Sequence, residues 1–294
     1  MEALTNLSQQ VISGLSTGSI YAMGAFGLVL IFKTMDTVNF AQGKMAMFSA
    51  FVAWACINIF HMPYALAFIV AVIFGGVLGM VIERIFLRPV QDSSPLTLII
   101  ISLGLVMILD GVAGWIFGFT TKTMPEAIQG EPLTIALAKI SPHNLLIIGV
   151  TLLVMLGIFL VFKYTMAGIA IRATAQDIVT SYLMGINVSR VFSLTWIVSG
   201  ALGALAGIMI APVTFLSTTM MDEVQLKAFS AAVLGGFTSL GGAVVGGLIL
   251  GVMENLVAGY ISTEFKSTFA FALIILVLWI KPSGLLGKVQ RKKV

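Results

Sequence analysis

Apolar residues gather into nine runs, at about 8–32, 38–60, 64–86, 94–118, 143–162, 191–216, 226–238, 241–259 and 267–281, with short polar stretches between them. A helix needs roughly 20 apolar residues to cross a hydrocarbon core about 30 Å thick, and most of the runs approach that length. The run at 226–238 is short and either crosses obliquely or dips in and returns. The polar–apolar alternation of a barrel strand is absent, and backbone groups in lipid must be satisfied within the segment, so the runs predict helices. The expected fold is an all-α polytopic membrane protein of eight to nine transmembrane helices, a single transmembrane domain over residues 1–294.

Lys and Arg placement orients the runs. Arg84 and Arg88 follow the third run; Lys163, Arg172 and Arg190 lie in the loop 163–190; Lys281, Lys288, Arg291, Lys292 and Lys293 close the chain. Counting 226–238 as a crossing puts all of these on one side, which the positive-inside rule assigns to the cytoplasm. Nine crossings are therefore expected, with the N-terminus outside and the C-terminus inside. No Lys or Arg precedes Lys33, so the first run lacks the basic segment of a secretory signal and reads as a retained span.

Composition sharpens this picture. The chain is 59% hydrophobic and 10% charged, with a mean hydropathy of +1.08. A soluble domain carries about a quarter charged residues, so this chain is dissolved in lipid. The net charge of +4 is spread between the apolar runs and is no nucleic-acid signal. The lone Cys56 permits no internal disulfide, and no metal-ligand spacing exists.

Two stretches align internally. At an offset of 186, Ser13-Gly14 matches Ser199-Gly200, Met35-Asp36 matches Met221-Asp222, Val38 matches Val224, Asn39 matches Gln225 and Phe51 matches Phe237. At an offset of 171, Gly75-Gly76 matches Gly246-Gly247 and Glu83 matches Glu254. The first run matches the sixth, an odd number of crossings later, so the halves at about 8–90 and 191–260 form an inverted-topology repeat, a common transporter architecture. The alternative is coincidence among glycine-rich apolar segments.

Several features are candidates for function. Asn39, Gln42 and Gly43, with Lys44, form a polar cluster where the second run begins, and Gln225 is its repeat counterpart. Amides entering a membrane segment pair or line a wet path; for Lys44, snorkelling to the interface is explanation enough. Gly235-Gly236 and Gly241-Gly242 bracket the short run and suit a broken helix with half-helix ends near the midplane, near Gly235-Gly236 and the matching Ser49-Ala50. Asp110 lies deep in the fourth run, either as a functional intramembrane charge or as a hydrogen-bonded structural group; no basic partner is near it in sequence. Glu83 and Glu254, at run ends, read as interfacial, as do His61 and His143. Glycines at small-xxx-small spacing, such as Gly14/Gly18 and Gly75/Gly79, suit close helix packing. The loop 163–190 has good helix formers from about Ala173 to Met184, and Gly185 supplies a stop. Such a helix suits docking in a partner's groove or rests on the membrane as an amphipathic connector.

At this loop the sequence resembles a known family. Gly-x-Ala-x-Arg-Ala-x-x-x-Asp followed by Gly-Ile-Asn, from Gly168 to Asn187, is similar to the cytoplasmic coupling loop of LivH-type branched-chain amino acid permeases. Val38-Asn39-Phe40-Ala41-Gln42-Gly43, Leu87-Arg88-Pro89, the stretch Ser199 to Gly207, and Ala228–Gly236 with Gly241–Gly251 extend the resemblance along nearly the whole chain. The family usually has His where Gln42 stands, which removes a proton-linked role there, and more often Gln where Asp110 stands. The resemblance implies an importer subunit of the bacterial inner membrane. It implies a second homologous permease, two cytoplasmic ATPases and an extracytoplasmic substrate-binding protein as partners. Gly168, Arg172, Ala173, Asp177 and Gly185 are then the coupling residues, and the 173–184 helix a rigid lever that rocks one repeat against the other. The cargo implied is a branched-chain amino acid, with amides or urea as the alternative within the family.

No Gly-x4-Gly-Lys-Ser/Thr occurs; Gly287-Lys288 is followed by Val289. ATP chemistry is therefore expected on other chains, with no cofactor and no catalytic group on this one. Two other classes compete. A standalone secondary transporter or channel for a small polar solute would suit Asp110 and the repeat. An intramembrane enzyme is opposed by the lack of a Ser–His or paired-Asp constellation at membrane depth.

Overall fold

The computed structural model describes residues 2–91, 93–128, 130–135 and 138–287. Every apolar run is helical: α1 (Glu2–Met35), α2 (Gln42–Asn58), α3 (Tyr64–Ile82), α4 (Pro95–Phe117), α5 (Pro142–Tyr164), α8 (Val188–Thr214), α9 (Asp222–Gly235), α10 (Leu240–Tyr260) and α11 (Phe265–Ile280). Two short helices, α6 (Met166–Thr174) and α7 (Ile178–Leu183), fill the connector before α8. The starts are written in the sequence. Ser94, Thr165, Asp177, Asn187 and Ser239 each accept a hydrogen bond from a first-turn backbone N–H, satisfying donors that a helix leaves open.

Six helices are long and apolar enough to cross a membrane: α1, α3 with its C-terminal turns, α4, α5, α8 and α10. α11 is a shorter apolar helix. α9 has 14 residues, and at 1.5 Å per residue it spans about 21 Å, less than a hydrocarbon core. The protein is thus a largely helical polytopic membrane protein.

Between α4 and α5, Leu133–Ile135 and Ala138–Ile140 pair as a short antiparallel hairpin. Other features correct the expectations. The connector is not one helix over 173–184, because Asp177 turns extended at φ −158° and its carboxylate caps a new helix. Ser49-Ala50 lies inside α2 and marks no helix end. His143 is buried at the start of α5 instead of sitting at an interface, while His61 is exposed. The basic residues of the tail, Lys288, Arg291, Lys292 and Lys293, lie outside the described residues.

The chain divides into two compact units: residues 1–29, 126–152 and 226–294, and residues 30–125 and 153–225. In the first, α1 lies on α10 at backbone contact, and a Cβ at Gly14 would meet the Val252 Cα and the Gly251 carbonyl. Gly18 is pressed the same way against Gly247 and Leu248, and Gly24 against Ala228 of α9. In the second unit, α8 lies on α3 and α2. A Cβ at Gly200 would strike the Gly75 carbonyl, one at Gly79 the Trp196 carbonyl, and one at Gly207 the Ala46 carbonyl. Removing the side chain lets the axes close, the small-residue packing typical of membrane helices. Trp196, Met45, Leu87, Leu98 and Leu105 pack around this contact as a buried cluster.

Candidate functional site

The polar stretch between α1 and α2 folds into the second unit. The Asn39 side chain closes a tight turn by accepting from the Ala41 N–H at 3.0 Å, and its carbonyl accepts from the Gln225 amide at 3.5 Å. Gln42 accepts from the Ser199 hydroxyl at 3.1 Å. Gly43 leaves room for the Gln225 side chain, which a Cβ would approach to 3.0 Å. Asn39 and Gln42 are almost fully buried, so these amides are satisfied by protein.

Next to them, Lys44 carries the strongest charge arrangement in this unit. Its ammonium donates to Asp110 at 2.9 Å, to the Thr218 carbonyl at 2.9 Å, and stands 2.9 Å from Asp222. An ammonium has three N–H donors, and here each has an acceptor. The Lys44 side chain is only 7% exposed, whereas Asp110 is 35% and Asp222 52% exposed. One buried cation thus holds two carboxylates that keep an open face. α2 positions Lys44, α4 positions Asp110 and the first turn of α9 positions Asp222. Phe117 of α4 stacks on Phe51 of α2 at 4.9 Å and fixes the register between those helices.

Two other carboxylates are sealed. Glu83 is wholly buried, held by Arg88 through both of its oxygens at 3.2 and 3.3 Å and by the Ser193 hydroxyl at 2.8 Å. A π-helical turn at Glu83–Leu87 brings Glu83 and Arg88 together. In the first unit Glu254 is equally buried, with Lys227 at 3.0 Å, the Tyr21 hydroxyl at 2.9 Å and Lys266 at 3.9 Å. Both glutamates are internal ion-pair anchors, buried by the protein itself.

The connector is a jointed pair of helices. Thr165 caps α6 through the Gly168 N–H at 3.2 Å, and Gly168 lies directly on the Phe162 backbone, where a Cβ would collide. Ala175 and Gln176 turn the chain, and the Asp177 carboxylate accepts from the Thr180 N–H at 2.8 Å. That hydrogen bond holds the Asp177 carboxyl below the ordinary aspartate range. α7 ends at Gly185, at φ +81°, a left-handed conformation that suits glycine. Arg172 is exposed. So is an apolar edge of Val179, Tyr182, Leu183 and Met184, each at least 70% exposed.

Comparison with known proteins decides the family. The family described as "Branched-chain amino acid transport system / permease component" matches residues 10–278. The chain belongs to that family. It is 34% identical to the high-affinity branched-chain amino acid transport system permease protein LivH of Salmonella typhimurium, over 97% of each chain. It is 33% identical to LivH of Escherichia coli, again over 97% of both, and 32% identical to BraD of Pseudomonas aeruginosa over the full length of both. Among solved structures, PsaBC from Streptococcus pneumoniae in complex with Fab matches with a TM-score of 0.51 at 18% identity, covering 95% of this chain and 92% of that one. That likeness concerns the fold alone.

For this permease, the structure gathers Asn39, Gln42, Gly43 and Gln225 into one place and adds Lys44, Asp110 and Asp222 to it. Gly235 and Gly236 belong elsewhere. Gly235 is pressed against Gly242, and the carbonyls of Leu234 and Gly235 accept from the N–H groups of Leu285 and Leu286. The end of α9 is therefore no open half-helix terminus. Gly168, Asp177 and Gly185 stand at the start, joint and end of the connector, and Ala173 lies in the last turn of α6. The Lys44–Asp110–Asp222 grouping was not legible from sequence distance. Its signal was present nonetheless, as one cation and one anion each stranded within apolar runs, which membrane burial forces to find partners.

Proposed function

We propose that this chain is one of two homologous permease subunits of an importer that carries branched-chain amino acids inward. Two cytoplasmic ATPases drive it, and an extracytoplasmic binding protein supplies it. The observation that carries this reading is the apolar edge of α7, exposed on a capped helix outside any span. Water-facing Val179, Tyr182, Leu183 and Met184 are unfavourable unless a partner covers them, and an ATPase groove is the proposed cover. Beside them opens a cavity of about 770 Å³ lined by Met35, Val179, Tyr182, Ile186 and Phe192.

The inverted repeat and nine crossings, with the N-terminus outside, belong to the same proposal. The packing supports it: α1 rests on α9 and α10, while their counterparts α8 and α2 with α3 meet in the same combination. Asn39 and Gln225 are repeat counterparts and touch. Inverted-repeat transporters place their substrate sites near the bilayer midplane, which favours a mid-membrane position for the polar cluster. An amino acid crossing there needs acceptors for its ammonium, and the open faces of Asp110 and Asp222 are the proposed ones.

The test is leucine uptake by the full complex in proteoliposomes. Arg172→Glu and Leu183→Asp are expected to lower uptake about tenfold while ATP hydrolysis continues, a coupling loss of ordinary size. Unchanged uptake in both variants would refute the coupling role of the connector.

The Lys44–Asp110–Asp222 cluster also fits a second reading, a transporter working alone on a cation gradient. Uptake by the purified chain without ATPases would favour it.

A further inference from the structure

α3 and α8 run antiparallel at backbone contact, and two adjoining cavities lie along that seam. One, of about 520 Å³, sits at the C-terminal end of α3 and the N-terminal end of α8 and is lined by Arg84, Arg88, Arg190, Ser189, Leu194 and Ile197 among others. The other, of about 320 Å³, is lined by Ile73, Gly76, Val77, Met80, Ile197 and Ala201, with Val72, and is apolar throughout. Ile197 lines both, so they form one groove, basic at one end and greasy along the rest.

The basic end carries uncompensated charge. Arg88 is committed to Glu83 and to Ser189 and Ser193. Arg84 and Arg190 are exposed and, among the described residues, have no carboxylate partner. Two guanidinium groups therefore face the same space at the end of a membrane-spanning pair, and the first turn of α8 adds its partial positive charge there. The apolar arm is kept open by small residues: Gly76 and Ala201 form its floor, and a Cβ on Gly76 would already press on Ile197.

We infer that this groove is a binding site for an anionic phospholipid of the phosphatidylglycerol class. The phosphate sits between Arg84 and Arg190, and one acyl chain lies along Ile197, Val77 and Ile73. A zwitterionic lipid would bring an amine toward two like charges. A free phosphate would leave the apolar arm unused. Basic pockets between membrane helices hold anionic headgroups by this same combination.

The test uses the full permease complex in nanodiscs holding equal phosphatidylglycerol and phosphatidylcholine, followed by native mass spectrometry of the lipids retained on extraction. Wild type is expected to keep phosphatidylglycerol selectively. The double variant Arg84→Gln/Arg190→Gln should lose about 30-fold in that preference, the equivalent of about 2 kcal/mol for two arginines near a lipid surface. Ala201→Phe, which leaves every charge in place and fills the arm, should also release the lipid. Three results would overturn the proposal. The first is equal retention of both lipids by wild type. The second is displacement of the lipid by glycerophosphoglycerol, a headgroup without chains, as readily as by intact lipid. The third is shielding of the thiol in Leu194→Cys by the ATPase subunits and not by lipid, which would make the basic end a protein interface. Each readout is independent of the sidedness proposed above.

Discussion

Two lysine–carboxylate groupings, one in each compact unit, answer the problem of charge in an apolar fold in opposite ways. Glu254 is sealed: none of it reaches the surface, and Lys227, Tyr21 and Lys266 surround it. Around Lys44 the cation is sealed instead, and its partners Asp110 and Asp222 stay 35% and 52% exposed. The first arrangement presents nothing to a solute and ties α1, α9, α10 and α11 together. The second presents two carboxylates on a fixed cation, so a passing ammonium can meet acceptors that need no reorganisation. Burial of the cation and exposure of the anions mark the difference between a brace and a candidate station.

The comparison is broken most severely at Glu254. Glu254→Ala leaves the Lys227 ammonium in an apolar setting without its counter-ion, and removing one member of a buried pair costs about 3–5 kcal/mol. A large fall in the thermal unfolding midpoint of the detergent-solubilised chain is expected, with little folded protein recovered. A midpoint near wild type would mean that the pair is not the brace described. Lys44→Met should act in the reverse proportion. Its carboxylate partners are 35% and 52% exposed and not sealed as Glu254 is, so the stability loss is expected to stay within about 1–2 kcal/mol. Leucine uptake by the assembled complex should nevertheless fall at least about tenfold, because two unscreened carboxylates would hold or repel the zwitterion wrongly. A Lys44→Met permease that is badly unfolded, or one that transports normally, would erase the contrast between the two groupings.

The legibility of these features follows the range of the forces that set them. The helices were readable because an apolar run long enough to enter lipid has no other way to satisfy its backbone, and every run became a helix. The close contacts of Gly14, Gly18, Gly75 and Gly79 were readable for a similar reason, since small residues one turn apart have little other use on a membrane helix. Asn39, Gln42, Gly43 and Gln225 lie together in the structure, as the matching of Asn39 with Gln225 along the chain suggested. The Lys44–Asp110 pair, 66 residues apart, depends on how α2 and α4 dock, which no local pattern encodes. The burial of Glu83 was hidden for the same reason: its partner Arg88 is reached only through a π-helical turn that propensity does not announce. The joint in the connector was hidden differently. Helix formers from Ala173 onward favour continuity, and a side chain that caps, Asp177, outweighs them once it turns extended.

That joint gives the smallest effect and tests whether a third carboxylate, outside the membrane, works by geometry instead of by charge pairing. Asp177 accepts from the Thr180 N–H, and folding holds its carboxyl below the ordinary aspartate value. The sign follows from linkage: a depressed carboxyl stabilises α7 fully above its unfolded value, about 3.9, and the contribution is lost as pH falls through the lower folded value. Between pH 5 and 8 the cap is therefore constant, and coupling should show no pH dependence arising from it. Asp177→Asn keeps an acceptor oxygen at the cap, so amide exchange over residues 178–183 should change little at neutral pH and lose its acid sensitivity. Asp177→Ala removes the acceptor, so those amides should exchange several-fold faster while the spans on either side keep their protection. If Asp177→Ala kept wild-type protection, the carboxylate would not be what starts α7, and the joint would have to be set by the turn at Ala175 and Gln176 alone.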